Sequence, residues 1–125
     1  MLIDTDVLIW LFRGRASAHN AIEQLDSVQL SAVTYMEMVQ GMRNNEEFRL
    51  FRRTIHDHQW KIIPLNENIS HRASIYIENY ALSHGLTMAD SLIAASAIES
   101  GLPLMSANVR HYRVITELTL SIYQP

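Results

Sequence analysis

Large apolar residues come in short blocks separated by stretches of helical spacing, and that rhythm predicts alternating strands and helices. Met1 to Asp4 reads as a short buried strand, and Val7 to Arg13 as a helix or turn ending at Gly14. Ser17 to Leu25 is expected to be helical, and Val28 to Ser31 to be a second strand. Val33 to Arg43 is a helix on the spacing of Met36, Val39 and Met42. A further helix is expected over Glu46 to His58. Trp60 to Ile63 makes a third strand closed by Pro64, and Glu67 to Ser83 a long helix for which Gly85 suits the C-terminal cap. Met88 to Ser100 reads as a helix ending at Gly101, with weakly alternating fourth and fifth strands at Leu104 to Ser106 and Leu118 to Ile122. Strands separated by helices imply an α/β fold with a parallel sheet covered on both faces. No internal repeat, linker or low-complexity tract interrupts the pattern, so residues 1–125 are expected to form a single domain.

Composition narrows the setting without naming a chemistry. With 48% hydrophobic and 18% charged residues in 125, the chain has the balance of an ordinary globular protein. The absence of cysteine removes disulfides and thiolate zinc sites, and a reducing compartment fits. Asp4 and Asp6 interrupt the first apolar stretch, which lacks a basic leader, and no apolar run reaches the roughly 18 residues of a membrane span. A cytoplasmic protein is expected. A net charge of -3 argues against a binder that relies on a broad basic surface. The distribution of cations says more, because Lys61 is the only lysine while Arg43, Arg49, Arg52 and Arg53 crowd one segment. Their planar forks suit phosphate or carboxylate; the other reading is a solvated helix face paired with Glu46 and Glu47.

Ligands of an open parallel sheet bind at loops on the carboxyl ends of its strands. Asp4 and Asp6 follow the first strand, Glu37 lies on the helix after the second, and Asn108 follows the fourth. Asp90 shares its side of a helix with Ile93, Ala94 and Ala97, so it points inward and needs a partner. Each acid also has a structural reading: Thr34 with Glu37 and Thr87 with Asp90 fit a capping-box spacing, and Asp4 or Asp6 could cap the next helix. Several carboxylates at one sheet edge, however, repel one another unless a cation or shared protons relieve them. Oxygen ligands of this kind favour magnesium or manganese over zinc. The histidines form no His-Glu-x-x-His pattern; His56 and His58 read as a surface pair, and His19, His71 and His84 as surface residues. There is no Gly-x-Ser-x-Gly elbow and no phosphate-cradling glycine loop. Trp10, Phe12 and Trp60 read as core rather than base-stacking residues.

Four pieces of the chain resemble the PIN-domain ribonucleases, and among them the VapC toxins of toxin-antitoxin pairs. They are Leu-Ile-Asp-Thr-Asp at 2–6, Ser31 through Glu37 to Gly41, Met-Ala-Asp-Ser-Leu-Ile-Ala-Ala at 88–95, and Ser-Ala-Asn-Val-Arg-His-Tyr at 106–112. The resemblance implies a three-layer α/β/α PIN-like domain whose acids bind magnesium or manganese. By position Asp4, Glu37 and Asp90 are the implied metal-site and catalytic residues, with Asp6, Ser106 and Asn108 beside them. Many relatives carry an acid in the stretch matching Asn108 to His111, where this chain has a neutral carboxamide and an imidazole, so a second metal is in question. The implied reaction is cleavage of RNA phosphodiesters by metal-activated water. The implied partners are RNA, a VapB-type antitoxin whose extended segment covers the active-site groove, and a second copy of the chain. Arg43, Arg49, Arg52 and Arg53 would meet antitoxin acids or RNA phosphates.

Two other readings remain open at this point. Asp4-x-Asp6 after a strand resembles the haloacid-dehalogenase-type phosphatases, which also need a lysine after a later strand, where Lys61 is poorly placed. A PIN-like RNA- or protein-binding module without activity is the other, with Asn108 as its first sign.

Overall fold

Leu2 and Ile3 sit side by side on an extended chain, so their side chains leave opposite faces of the sheet, and both are fully buried. That pair is the whole of β1 (Leu2–Ile3) in the computed structural model, which describes all 125 residues. The other strands are β2 (Gln29–Ser31), β3 (Lys61–Ile63), β4 (Leu104–Ser106) and β5 (Leu120–Ile122). All pair in parallel in the order β3-β2-β1-β4-β5, with Leu2 opposite Gln29 on one side and Leu104 on the other. Seven helices connect them: α1 (Thr5–Phe12), α2 (Ala16–Glu23), α3 (Ala32–Gln40), α4 (Asn45–Asp57), α5 (Glu67–His84), α6 (Met88–Glu99) and α7 (Val109–Tyr112).

Burial on both faces makes two cores. Leu2 and Leu104 pack with Ile69, Tyr76, Ile93 and Tyr112 beneath α5, α6 and α7. Ile3, Leu30 and Met105 pack with Val7, Leu8, Ile22, Phe51 and Trp60 beneath α1, α2 and α4. The expected three-layer α/β/α arrangement is therefore present. The order also has a functional consequence: after β1 the chain builds outward through β2 and β3, then returns across the sheet to lay β4 on the other flank of β1. The reversal opens a crevice at the carboxyl ends of β1 and β4. Asp4 leaves one strand there and Ser106 ends the other, and Asp4 N–H donates to Met105 O at 2.9 Å.

Element ends explain most of the differences from the sequence reading. α1 starts at Thr5 rather than Val7 because Asp4 caps it, its Oδ1 accepting from Thr5 N–H at 2.9 Å. The Thr34-Glu37 capping box that the spacing allowed is absent: Ser31 caps α3 by accepting from Val33 N–H at 3.1 Å, and Thr34 is buried within the first turn of the helix. Thr87 does cap α6, accepting from Asp90 N–H at 3.2 Å. Gly85 ends α5 at φ 68°, a left-handed conformation open to glycine at no steric cost. The four-residue α7 carries too little periodicity to be read from sequence. Trp60 is buried as expected, whereas Trp10 and Phe12 only partly cover the second core.

Candidate metal centre at the β1/β4 crevice

Asp4 and Ser106 stand on adjacent strands, and the sheet register brings them into contact: Ser106 Oγ donates to Asp4 Oδ2 at 2.7 Å. Asp6, in the first turn of α1, turns back over the same point. Its Oδ2 accepts from Ala107 N–H at 3.0 Å and lies 3.4 Å from Ser106 Oγ. Its Oδ1 is buried with no hydrogen-bond partner. Asn108 N–H donates to Ser106 Oγ at 2.9 Å, so this one hydroxyl organises the β4 end of the site.

Asp90 reaches the crevice from the first turn of α6, on the opposite side of the sheet from α1. Its Oδ2 is 3.0 Å from His111 Nδ1, and its Oδ1 accepts from the Tyr112 hydroxyl at 3.3 Å. Glu37 stands apart from this group. It is exposed on α3, and its Oε1 accepts from Thr5 Oγ1 at 2.7 Å, while Thr5 also bonds Thr34 Oγ1 at 3.1 Å. The predicted residues Asp4, Asp6, Asp90, Ser106 and Asn108 are thus gathered around one crevice, and Glu37 is joined to them only through Thr5. With the side chains in these positions, no three carboxylates or imidazoles are arranged to ligate a single ion.

The electrostatics carry the signature of crowded carboxylates. Burial, and then the nearby Asp6, push the Asp4 carboxyl up from 3.8 to about 7. Asp6 is raised as well, chiefly by burial. The Tyr112 phenol is held far above its ordinary value, first by burial and then by the negative charges of Asp4 and Asp90. The N-termini of α1 and α6 offset part of this repulsion, because unpaired amide groups there favour negative charge. No lysine or arginine joins the cluster in an ion pair; His111 is the one basic side chain in contact with it. Their chemistry, oxygen donors of like charge, suits a hard divalent cation, which would neutralise the acids and give the orphaned Asp6 Oδ1 a partner once the side chains draw together.

Two side chains here were assigned no role of their own in the sequence reading. Thr5 lies between two aspartates and announces nothing, and Tyr112 reads as one more apolar residue until the fold turns its hydroxyl inward. Lys61 opens β3, at the amino end of a parallel strand and so at the edge of the sheet opposite Asp4; a phosphatase reading loses its lysine.

Next to Glu37 lies a cavity of about 630 Å³ between α1, α3 and α4. Ile9, Phe12, Met38, Met42 and Leu50 line it, with Arg13, Arg43 and Glu47 at its rim. Arg43 is not free: its guanidinium pairs with Glu47 at 2.8 Å, and its backbone N–H donates to the same carboxylate at 3.0 Å. Arg49, Arg52 and Arg53 are exposed on α4 without ion pairs, Arg52 stacking over Phe48.

Residues 1–116 match the PIN domain family. This chain belongs to the PIN-domain family. Among its relatives is the ribonuclease VapC10 of Mycobacterium tuberculosis, 30% identical over 122 residues that cover 94% of this chain and 90% of the relative. Ribonuclease VapC1 of Methanocaldococcus jannaschii is 28% identical over 124 residues, covering 98% and 86%. A toxin-antitoxin complex from Klebsiella pneumoniae contains a chain that superposes with a TM-score of 0.77 at 26% identity, covering 98% of this PIN domain and 97% of that chain. VapBC2 from Rickettsia felis, bound to a promoter DNA fragment, reaches 0.82 at 16% identity, covering 98% of both chains, a likeness of fold. No helix of this PIN domain is long and apolar enough to cross a membrane.

Proposed function

We propose that this PIN domain is an endoribonuclease, the toxin of a VapBC-type pair, acting in the cytoplasm with magnesium or manganese. One observation carries the reading: Asp4, Asp6 and Asp90 converge on a crevice where burial makes the charges of Asp4 and Asp6 costly and leaves Asp6 Oδ1 without a partner. Asp4, Asp6 and Asp90 would hold the cation from within the crevice, and Glu37, bonded to Thr5 beside them, would join on a turn of its side chain. A bound divalent cation supplies water of lowered pKa and offsets charge at the phosphodiester. The residues of the chain do the positioning. Ser106 holds Asp4 and Asp6 in register, and Thr5 holds Glu37 at the mouth of the crevice. Water adds to phosphorus, and the ester oxygen that leaves takes up a proton.

A VapB-type antitoxin is the proposed inhibitor, its extended segment laid in the apolar cavity beside Glu37, with Arg13 in the lining for its acids. A homodimer belongs to the same reading and is tested by the mass of the purified chain in solution. The test of activity is incubation of the purified chain with several RNAs in magnesium, manganese or EDTA, beside Asp90→Asn. Cleavage that needs metal and vanishes in Asp90→Asn is expected. A binding module is the second reading, favoured by the separation of Glu37 from the other acids. RNA binding without cleavage in every metal would establish it and remove the nuclease.

A further inference from the structure

We propose that the Asn108–Tyr112 segment works as a clamp on Asp90, with His111 and Tyr112 as positioning residues. The proposal rests on the reading above that Asp90 faces a divalent cation. Each oxygen of the carboxylate has its own contact: Oδ2 with His111 Nδ1 at 3.0 Å, Oδ1 with the Tyr112 hydroxyl at 3.3 Å. A carboxylate can only accept, so His111 Nδ1 carries the proton and donates. The Asn108 carboxamide packs against the same edge of the ring, its Nδ2 3.0 Å from Nδ1, and limits the rotation of the imidazole.

Residues 108, 111 and 112 share one face of a helical turn, which is why a four-residue helix suffices to present all three. Tyr112 is fully buried, so its ring cannot swing away. The segment is tied to the other carboxylates too, since Asn108 N–H donates to the Ser106 hydroxyl that holds Asp4. Where a fourth acid would add a ligand, this stretch supplies donors instead. Each Asp90 oxygen keeps a lone pair for the cation, and a carboxylate fixed beforehand loses less freedom on binding it.

The experiment is calorimetric titration of the metal-stripped protein with manganese, without RNA, alongside thermal melts in EDTA. Wild type should bind and Asp90→Asn should not. His111→Ala and Tyr112→Phe should each weaken manganese affinity about tenfold. His111→Asn should recover most of the loss, because its amide nitrogen stands where Nδ1 stood; a role in packing alone would give no such recovery. Should Tyr112→Phe melt below room temperature, the alanine and asparagine variants at position 111 carry the test. Binding within twofold of wild type in His111→Ala, or tighter binding, overturns the clamp while leaving the site. Failure of wild type to bind manganese overturns the clamp and the site together.

Discussion

Ionising Asp4 without a metal should cost this protein a large part of its stability. The carboxyl is 4% exposed, and its pKa rises from 3.8 to about 7, first through burial and then through Asp6. Because the native value lies above the unfolded one, the folded protein holds this proton the more tightly. The contribution is therefore complete below pH 3.8 and is lost as pH rises through about 7. At about 1.4 kcal/mol per pH unit, the difference amounts to on the order of 4 kcal/mol. For a chain of this size that corresponds to a Tm lower by on the order of 10 to 20 °C. Thermal melts in EDTA between pH 4.5 and 8 measure it, and Asp4→Asn isolates it. Asparagine can still accept from Thr5 N–H but has no charge to bury, so the variant should lack this slope and be the more stable protein at pH 8. Manganese should flatten the slope of the wild type. Parallel wild-type and Asp4→Asn curves in EDTA would refute the argument, since they would mean that Asp4 ionises in the fold as easily as in the unfolded chain.

Three further outcomes follow from other parts of the fold. Phe51→Ala should destabilise by about 3–5 kcal/mol in urea denaturation, because the ring is fully buried against Phe12 and Tyr35 and leaves a cavity behind. Gly85→Ala, which forces a side chain into the left-handed C-cap at φ 68°, should cost about 1 kcal/mol by the same measurement. Replacing Arg49, Arg52 and Arg53 together by alanine should lower affinity for RNA or for the antitoxin without changing Tm; titrations of both that match wild type would make these arginines a solvated face.

Repetition made much of the fold legible from the sequence alone. Buried strands and amphipathic helices repeat their apolar residues at fixed local intervals, so all five strands and the six longer helices could be read within a few residues of their true ends. The acids were legible for a related reason, since Asp4, Asp6 and Asp90 stand where local pattern puts strand ends and helix starts. Residue spacing could not carry the contacts between segments. That Asp4 and Ser106 share a hydrogen bond is a product of β1 lying beside β4. Glu37 answers to Thr5 rather than to the other carboxylates because of where α3 lies against α1. The tyrosine at 112 becomes a donor to Asp90 only when α7 folds against α6. Each of these joins residues some 20 to 100 positions apart, and long-range pairing is decided by packing the whole core at once.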